Sequence, residues 1–513
     1  MTVLHETKPL WLEEDRPHFG RVHKDAVYDA VVVGGGITGL TAAYLLKQAG
    51  QKVAVVEKGR IADAETGHTS AHLTQVTDTR LAELVDRFGE EKARLAWEGG
   101  AAAINLLESI IGREQIRCHF QRVPGFLTSP ITLDATTDDV ESLEQEAELA
   151  RNLGFDALFV SATPVFNRPA IRFANQAVFH PLMYLAELAK RIPGDGCDLF
   201  EESEMSEVID EPLAAEVDGF RLQCRKLIIA THVPLMGKAG LVSATLMQSK
   251  IAGYSSYVIG GEIEKGVVPH AEFWDTQDPY YYLRVEPREQ TDYVIFGGQD
   301  HKTGQETDTE SCYAQLETVL KAYLPGIEID HRWSGQVLET PDGLPYIGEE
   351  AENQFIATGF AGNGMTFGTL AGMMACDYVL GRDNPWSDLF STDRRALRKG
   401  LWNYLKENFS FPKHLLGDYL SAPDGDSLES VPRGEGKIVK MDGHRCAVHR
   451  DADGRVTVLS AVCTHMGCLV RWNKAAETWD CPCHGSRFAT DGHVIAGPAE
   501  TPLEKKRPAS GES

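Results

Sequence analysis

Residues 28–39 read Tyr28-Asp-Ala-Val-Val-Val-Gly-Gly-Gly-Ile-Thr-Gly39. A short β-branched run ends in glycines, Ile37 to Ala49 reads as a helix, and Lys52 to Glu57 reads as a second strand. That is a βαβ unit carrying G-x-G-x-x-G at its first turn. The first glycine permits the tight turn, the second lets the backbone reach a pyrophosphate, and the third lets helix and strand pack closely. Gly34, Gly36, Ile37, Thr38 and Gly39 are therefore candidate dinucleotide contacts at a helix N-terminus, where free N–H groups favour phosphate charge. Glu57, closing the second strand, is placed to hold a ribose hydroxyl. A glycine turn without a ligand is the bland alternative, and the motif's strand–helix–strand context argues against it.

Working outward, helical stretches run to about Ile111, alternating segments to about Phe179, and His180 to Ile192 reads as helix again. Leu227 to Thr231 is a buried strand. From about Leu246 to Gly298 the pattern is strand-rich, with Tyr280–Arg284 and Tyr293–Phe296 forming a hairpin across a charged turn. Asn353 to Thr358 is another buried strand, leading through a glycine-rich turn into a helix that ends near Leu380. Pro385, Pro412, Pro423 and Pro432 mark a connection containing one helix, Thr392 to Asn408. Beyond it, short strands and the turns Asp442-Gly443, Asp453-Gly454 and Asp491-Gly492 fit a small all-β module.

At 513 residues the chain is too long for one core. A formal net charge of -25 argues against nucleic acid or an anionic membrane as partner. A solvated acidic surface accounts for it, with docking of a basic electron-transfer partner as the functional alternative. No stretch nears the ~20 apolar residues of a membrane helix, so no membrane insertion is expected. Met1 to Gly20 has no apolar run of the secretory kind, so the expected location is cytoplasmic.

Six of the ten cysteines (Cys118, Cys197, Cys224, Cys312, Cys376, Cys446) are scattered and read as inert buried thiols. The other four lie in Cys463-Thr-His465-Met-Gly-Cys468 and Cys481-Pro-Cys483-His484-Gly-Ser486. Each loop offers one Cys and one His at short spacing. Two thiolates on one iron (Cys463, Cys481) and two imidazoles on the other (His465, His484) make the ligand set of a Rieske 2Fe–2S centre. A zinc site of two cysteines and two histidines also fits the ligand types, but it leaves the extra cysteine of each loop and the Gly-Ser after His484 unexplained.

The glycine fingerprint, Gly67-His-Thr69-Ser70, Trp333-Ser-Gly with Thr340-Pro-Asp-Gly-Leu-Pro-Tyr-Ile-Gly348, and Ala357-Thr-Gly-Phe-Ala-Gly362-Asn-Gly-Met365 occur in that order. Together they resemble the D-amino-acid/glycine/sarcosine oxidase superfamily of FAD enzymes. The fold so implied is an α/β FAD-binding domain of the Rossmann-like, glutathione-reductase type, with an inserted antiparallel substrate sheet. The expected layout is an N-terminal extension (1–25), the oxidoreductase (26–385), a linker with a helix (386–429) and an all-β Rieske domain (430–513). Within the oxidoreductase, FAD-binding parts are expected at about 26–110, 170–240 and 335–385, and the substrate sheet at about 111–169 and 241–334. The resemblance adds Thr69, Ser70, Gly359, Gly362, Gly364, Met365 and Thr366 as flavin contacts, with Val208 and Ala230-Thr231 near the adenine half. His68 and His72 lie where some relatives tether FAD, but ordinary loop histidines and non-covalent FAD are the expectation.

The same resemblance implies a substrate over the flavin beside the sheet, with Arg and Tyr gripping a carboxylate. Alternation puts Tyr280, Tyr282 and Arg284 on one face, and these with His301 are the candidate catalytic residues. Sheet packing and a loop histidine are the plainer readings. The C-terminal module resembles Rieske proteins of cytochrome bc complexes, which implies a Cys468–Cys483 disulfide and a third cluster wall at Gly497-Pro498. Where that pattern carries Ser and then Tyr, this chain has Ser486 and Phe488. With one donor fewer, the reduced cluster is less stabilised and a lower potential is expected. The leading expectation is oxidation of a small amine or amino acid at FAD, with electrons passing singly to the cluster and on to an external acceptor. An NAD(P)H-fed reductase is the rival, though no second G-x-G-x-x-G follows a strand. A redox sensor with a vestigial substrate site is the non-enzymatic alternative.

Overall fold

The computed structural model describes residues 8–233, 251–394, 425 and 427–506. Ala30–Val33, wholly buried and β-branched, occupies the middle of a six-stranded sheet. Its order is Tyr346–Ala351, Gln354–Thr358, Lys226–Ile229, Ala30–Val33, Val53–Val56 and Asp198–Phe200, all parallel except the first pair. Strands buried on both faces need no alternation, which is why they read as continuous apolar runs. Helices Ile37–Gln48 and Gly364–Leu380 pack on each other above this sheet, both starting at its glycine turns.

A second sheet holds nine strands. Glu328–Glu339, Ala252–Glu264, Thr291–Lys302, Tyr282–Pro287, Glu272–Asp275, Gln121–Thr128 and Ala170–Val178 run side by side, with His72–Leu73 and Ala157–Val160 also pairing with the last. The expected hairpin is present as Tyr282–Pro287 against Thr291–Lys302. Ala170–Val178, expected in the FAD-binding part, belongs instead to this sheet, and Glu328–Glu339 carries the sheet past residue 334. The expected alternating segments before Phe179 also conceal a helix, Thr137–Asn152. Thr136 and Asp139 form its capping box, and Leu143, Ala147 and Ala150 supply a thin buried stripe at helical spacing. A separate four-stranded sheet joins Ala26–Val27 to Phe220–Gln223, Leu213–Val217 and Met205–Asp210.

The C-terminal module is two small antiparallel sheets, Glu435–Met441, His444–Arg450 and Val456–Ser460 in one, and Arg471–Asn473, Thr478–Asp480, Arg487–Phe488 and Val494–Ala496 in the other. Of the expected connecting helix, residues 395–408 lie outside the described residues. No helix among the described residues is long and apolar enough to cross a membrane.

The small module sits on the larger body through specific polar contacts. Gln336 Nε2 donates to the Gly485 carbonyl (2.7 Å), Gln305 Nε2 to the Pro482 carbonyl (3.2 Å), and the Ala475 amide to Thr309 Oγ1 (3.0 Å). Lys474 pairs with Glu310 at 3.0 Å. Two of these contacts fall on the second cysteine–histidine loop, next to Cys481, Cys483 and His484.

Candidate functional site

The expected dinucleotide turn opens onto a cavity of about 710 Å³. Gly34, Gly36, Ile37, Thr38, Glu57, Thr69, Ser70, Gly362, Gly364 and Met365 all line it. Gly34 has φ +111°, and a Cβ there would lie 2.4 Å from the Ala230 carbonyl oxygen. Glu57 Oε2 accepts from the Gly35 amide (2.7 Å) and Oε1 from the Gly59 amide (2.8 Å). Burial raises its carboxyl against the pull of those amides, yet each oxygen keeps a lone pair for a hydroxyl donor. The glycine cradle, the helix start and this carboxylate fit the pyrophosphate and ribose of FAD.

Four of the expected residues stand away from this cavity wall. Gly39 acts by packing, since a Cβ there would meet the Gly34 carbonyl oxygen at 2.0 Å. Gly359 (φ +71°) shapes the final turn, and the Thr366 hydroxyl donates to the Thr74 carbonyl at 2.9 Å. Val208, expected near the adenine half, does not line the cavity, and its side chain is buried in an apolar cluster with Ala215 and Leu222. Met205, Ser206 and Glu207, just before it, line the cavity instead, as do Ala230 and Thr231.

Of the candidate catalytic residues, Tyr280 and Tyr282 line the cavity and Arg284 and His301 do not. Arg284 is fully buried; it donates to the carbonyls of Ala71 (2.8 Å) and Phe179 (3.1 Å) and pairs with Glu286. With its guanidinium held by these buried partners, Arg284 is not part of the cavity lining. His301 stacks on Tyr257 with ring centroids 5.5 Å apart, and burial lowers its pKa from the ordinary imidazole value. His72, expected only as a loop histidine, faces the cavity edge-on to Tyr282 (5.4 Å) and receives the Ser70 hydroxyl at Nδ1 (3.0 Å). Burial drives it down to about 3, so it is a neutral ring.

Asp78, Trp274 and Gln336 also line the cavity and were missed by sequence reading. Asp78 accepts from the Tyr280 hydroxyl at 3.0 Å, and a Cβ on Gly362 (φ +78°) would lie 1.9 Å from Asp78 Oδ2. The tight fit between Asp78 and the Gly362 turn joins residues far apart in sequence, and only the alternating strand Tyr280–Tyr282 hinted at that wall.

The cysteine–histidine loops converge as expected. Cys468 and Cys483 form a disulfide with Cα atoms 6.6 Å apart. Cys481 lies within 4.8 Å of both bridged sulfurs, but a bridged cysteine has no thiolate to give a metal, so this trio is not a ligand set. The remaining thiols, Cys463 and Cys481, are buried and face each other. Sharing a hydrogen bond holds Cys463 down to about 7, helped by the His465 and Met466 amides and the Ser486 hydroxyl, and pushes Cys481 up. His465 and His484 stand edge to face at 5.0 Å, with the Nδ1 atoms of both shielded from solvent. Two thiols wrapped in N–H and O–H donors opposite two imidazoles fit a 2Fe–2S cluster with one iron on the cysteines and the other on the histidines. The Gly497-Pro498 turn, expected as a third wall, is tied to the second loop by the Ala499 amide, which donates to Ser486 Oγ at 3.0 Å. It also lines the flavin-sized cavity, where a Cβ at Gly497 would lie 3.3 Å from Val233.

Phe488 is fully buried in the module's core beside Trp479. Phe488→Tyr is expected to raise the cluster potential and Ser486→Ala to lower it, because a hydroxyl donor stabilises the more negative reduced state. EPR-monitored redox titration of both variants checks the two directions, and equal shifts of one sign would refute the donor account.

Comparison with known proteins agrees with both halves. Residues 29–378 match the model of the FAD dependent oxidoreductase family and residues 426–507 that of the Rieske [2Fe-2S] domain. The Rieske 2Fe-2S iron-sulfur protein YhfW of Bacillus subtilis is 32% identical over 499 residues, covering 96% of each chain. Gamma-glutamylputrescine oxidoreductase of Escherichia coli is 23% identical over 71% of this chain and 86% of its own. Glycine oxidase from Geobacillus kaustophilus superposes with a TM-score of 0.60 at 18% identity, over 72% of this chain and 99% of its own.

Proposed function

Because the chain belongs to the FAD dependent oxidoreductase family and carries a Rieske [2Fe-2S] domain at its C-terminal end, we propose that it oxidises an amine or amino acid and passes the electrons singly to its own cluster. FAD when bound accepts two electrons as a hydride, whereas a Rieske cluster carries one. The observation that carries the reading is the shared cavity. Gly497, Pro498 and Ala499 of the cluster module line the same space as the dinucleotide turn, Tyr280 and Tyr282. Gln336 lines it too and holds the carbonyl of Gly485, the residue after the cluster ligand His484. Closing the cavity with the cluster's own loops excludes water and keeps the two redox sites close without an external carrier. Two relatives, named for gamma-glutamylputrescine and for glycine, support an amine or amino acid as substrate class.

The test is anaerobic reduction of the purified protein by a panel of amines, amino acids and NAD(P)H, following flavin absorbance and the Rieske EPR signal together. An amine or amino acid should bleach the flavin, with the EPR signal growing in step. Reduction by NAD(P)H alone would make the protein a reductase and overturn the proposal.

A further inference from the structure

The inner wall of the cavity is chemically one-sided. Asp78, Tyr280, Tyr282, Trp274 and His72 line it together. The two tyrosine rings lie 5.7 Å apart, and Trp274 is the cross-strand partner of Tyr282. Lys58 is the one Lys or Arg among the described lining residues. It belongs to the nucleotide end, beside Glu57, where its Nζ reaches the Val494 carbonyl at 3.5 Å. Arg284 does not line the cavity and is paired with Glu286. His72 is neutral.

A substrate carboxylate would thus enter a pocket whose described inner wall has no cation to receive it and a carboxylate already in place. A cation meets the opposite situation. Asp78 is open to the cavity, though deep within the protein, and among the described residues its carboxylate's side-chain partner is the Tyr280 hydroxyl alone. Asp300 lies within electrostatic reach, and its Oδ1 is shielded from solvent with no hydrogen-bond partner among the described residues. Both carboxyls are pushed up to about 7 by burial, with no positive side chain among the described residues drawing them down. A bound ammonium supplies the missing counter-charge, and aromatic faces attract cations and cover methylene groups.

Resting on the oxidation reading above, we propose that the substrate is a cationic amine with no carboxylate beside its nitrogen. Asp78 receives the ammonium, and Tyr280, Tyr282 and Trp274 enclose the adjoining carbons. Asp78 is then a specificity-determining residue, with Tyr280 orienting it.

Two probes of the same shape separate the charges. Neither tert-butylammonium nor pivalate bears a hydrogen on the carbon that joins its charged group, so the flavoenzyme can bind but not dehydrogenate them. Titrated into oxidised holoenzyme and read by the flavin difference spectrum, tert-butylammonium should bind roughly ten- to a hundredfold more tightly than pivalate. Asp78→Asn should abolish that preference, while Tyr280→Phe, which keeps the carboxylate, should retain it. Pivalate binding as well as the cation, or the preference surviving in Asp78→Asn, overturns the proposal. The two readings fail separately. Flavin reduction by α-amino acids but not by n-butylamine keeps the oxidation reading and sinks this one. No reduction by either sinks the oxidation reading, and the probe titration still decides the charge preference.

Discussion

Gly39→Val is expected to give folded protein that purifies without FAD absorbance, although Gly39 does not line the cavity. A Cβ at residue 39 would stand 2.0 Å from the Gly34 carbonyl oxygen and 3.1 Å from Val32 Cγ1. The first of these is backbone and cannot swing aside. Helix Ile37–Gln48 must therefore lift from strand Ala30–Val33, carrying its N-terminal amides away from the pyrophosphate position. Overpacking of this kind costs about 1–3 kcal/mol in stability. The binding loss adds to it, because the misplaced helix start no longer offers its free N–H groups to the phosphates. Gly112→Ala is the matched control: Gly112 lies in helix Glu90–Glu114 and its Cβ position has nothing within 4 Å. That variant should retain FAD and gain slightly in helix propensity. Flavin-to-protein absorbance ratios and FAD titration of the stripped proteins check both. Full flavin content in Gly39→Val would show that the third glycine has no packing role here.

That glycine was legible in the sequence because its requirement is local: turn, helix start and strand lie within one short stretch. The same holds for Cys463, His465, Cys481 and His484, whose residue types and spacing state their chemistry before any fold is known. Legibility falls as a role comes to depend on depth. Alternation correctly put Tyr282 and Arg284 on one face, but alternation carries no information on how far a strand runs under its neighbours. Tyr282 reaches the cavity while Arg284 meets the Ala71 and Phe179 carbonyls. Val208 likewise sits in a strand, Met205–Asp210, but its side chain packs into an apolar cluster and does not line the cavity. Asp78 was invisible because its meaning comes from Tyr280 and Gly362, both remote in sequence. Helix Thr137–Asn152 could have been found, since Thr136 and Asp139 spell a capping box, but its acidic surface masked the thin apolar stripe.

The depth of Arg284 carries a large consequence for stability. Its guanidinium pairs with Glu286, donates to two backbone carbonyls, and lies 5.5 Å from the centre of the Trp11 ring. Glu272, fully buried nearby, accepts the Leu73 amide at 2.7 Å and is pushed up to about 8 by burial, with Arg284 pulling the other way. Arg284→Met therefore leaves Glu286 with the His119 imidazole as its ion-pair partner among the described residues, charged only when protonated, and removes the positive charge that favours ionised Glu272. Breaking a buried pair from one side costs about 3–5 kcal/mol, and chemical denaturation should show a loss of that size. Arg284→Met combined with Glu286→Gln should recover part of it, because no unpaired charge then remains at residue 286. The pH dependence has a defined sign. Between the ordinary carboxyl value of 4.5 and about 8 the folded chain holds a proton on Glu272 that the unfolded chain releases. Stability from this group therefore falls as pH rises through that window, and in Arg284→Met the fall should extend further upward. A substrate-gripping arginine would behave otherwise: Arg284→Met would keep its stability and lose affinity for carboxylate ligands alone. Denaturation midpoints at two pH values, set beside pivalate titration of the same variant, distinguish a buried strut from a binding residue.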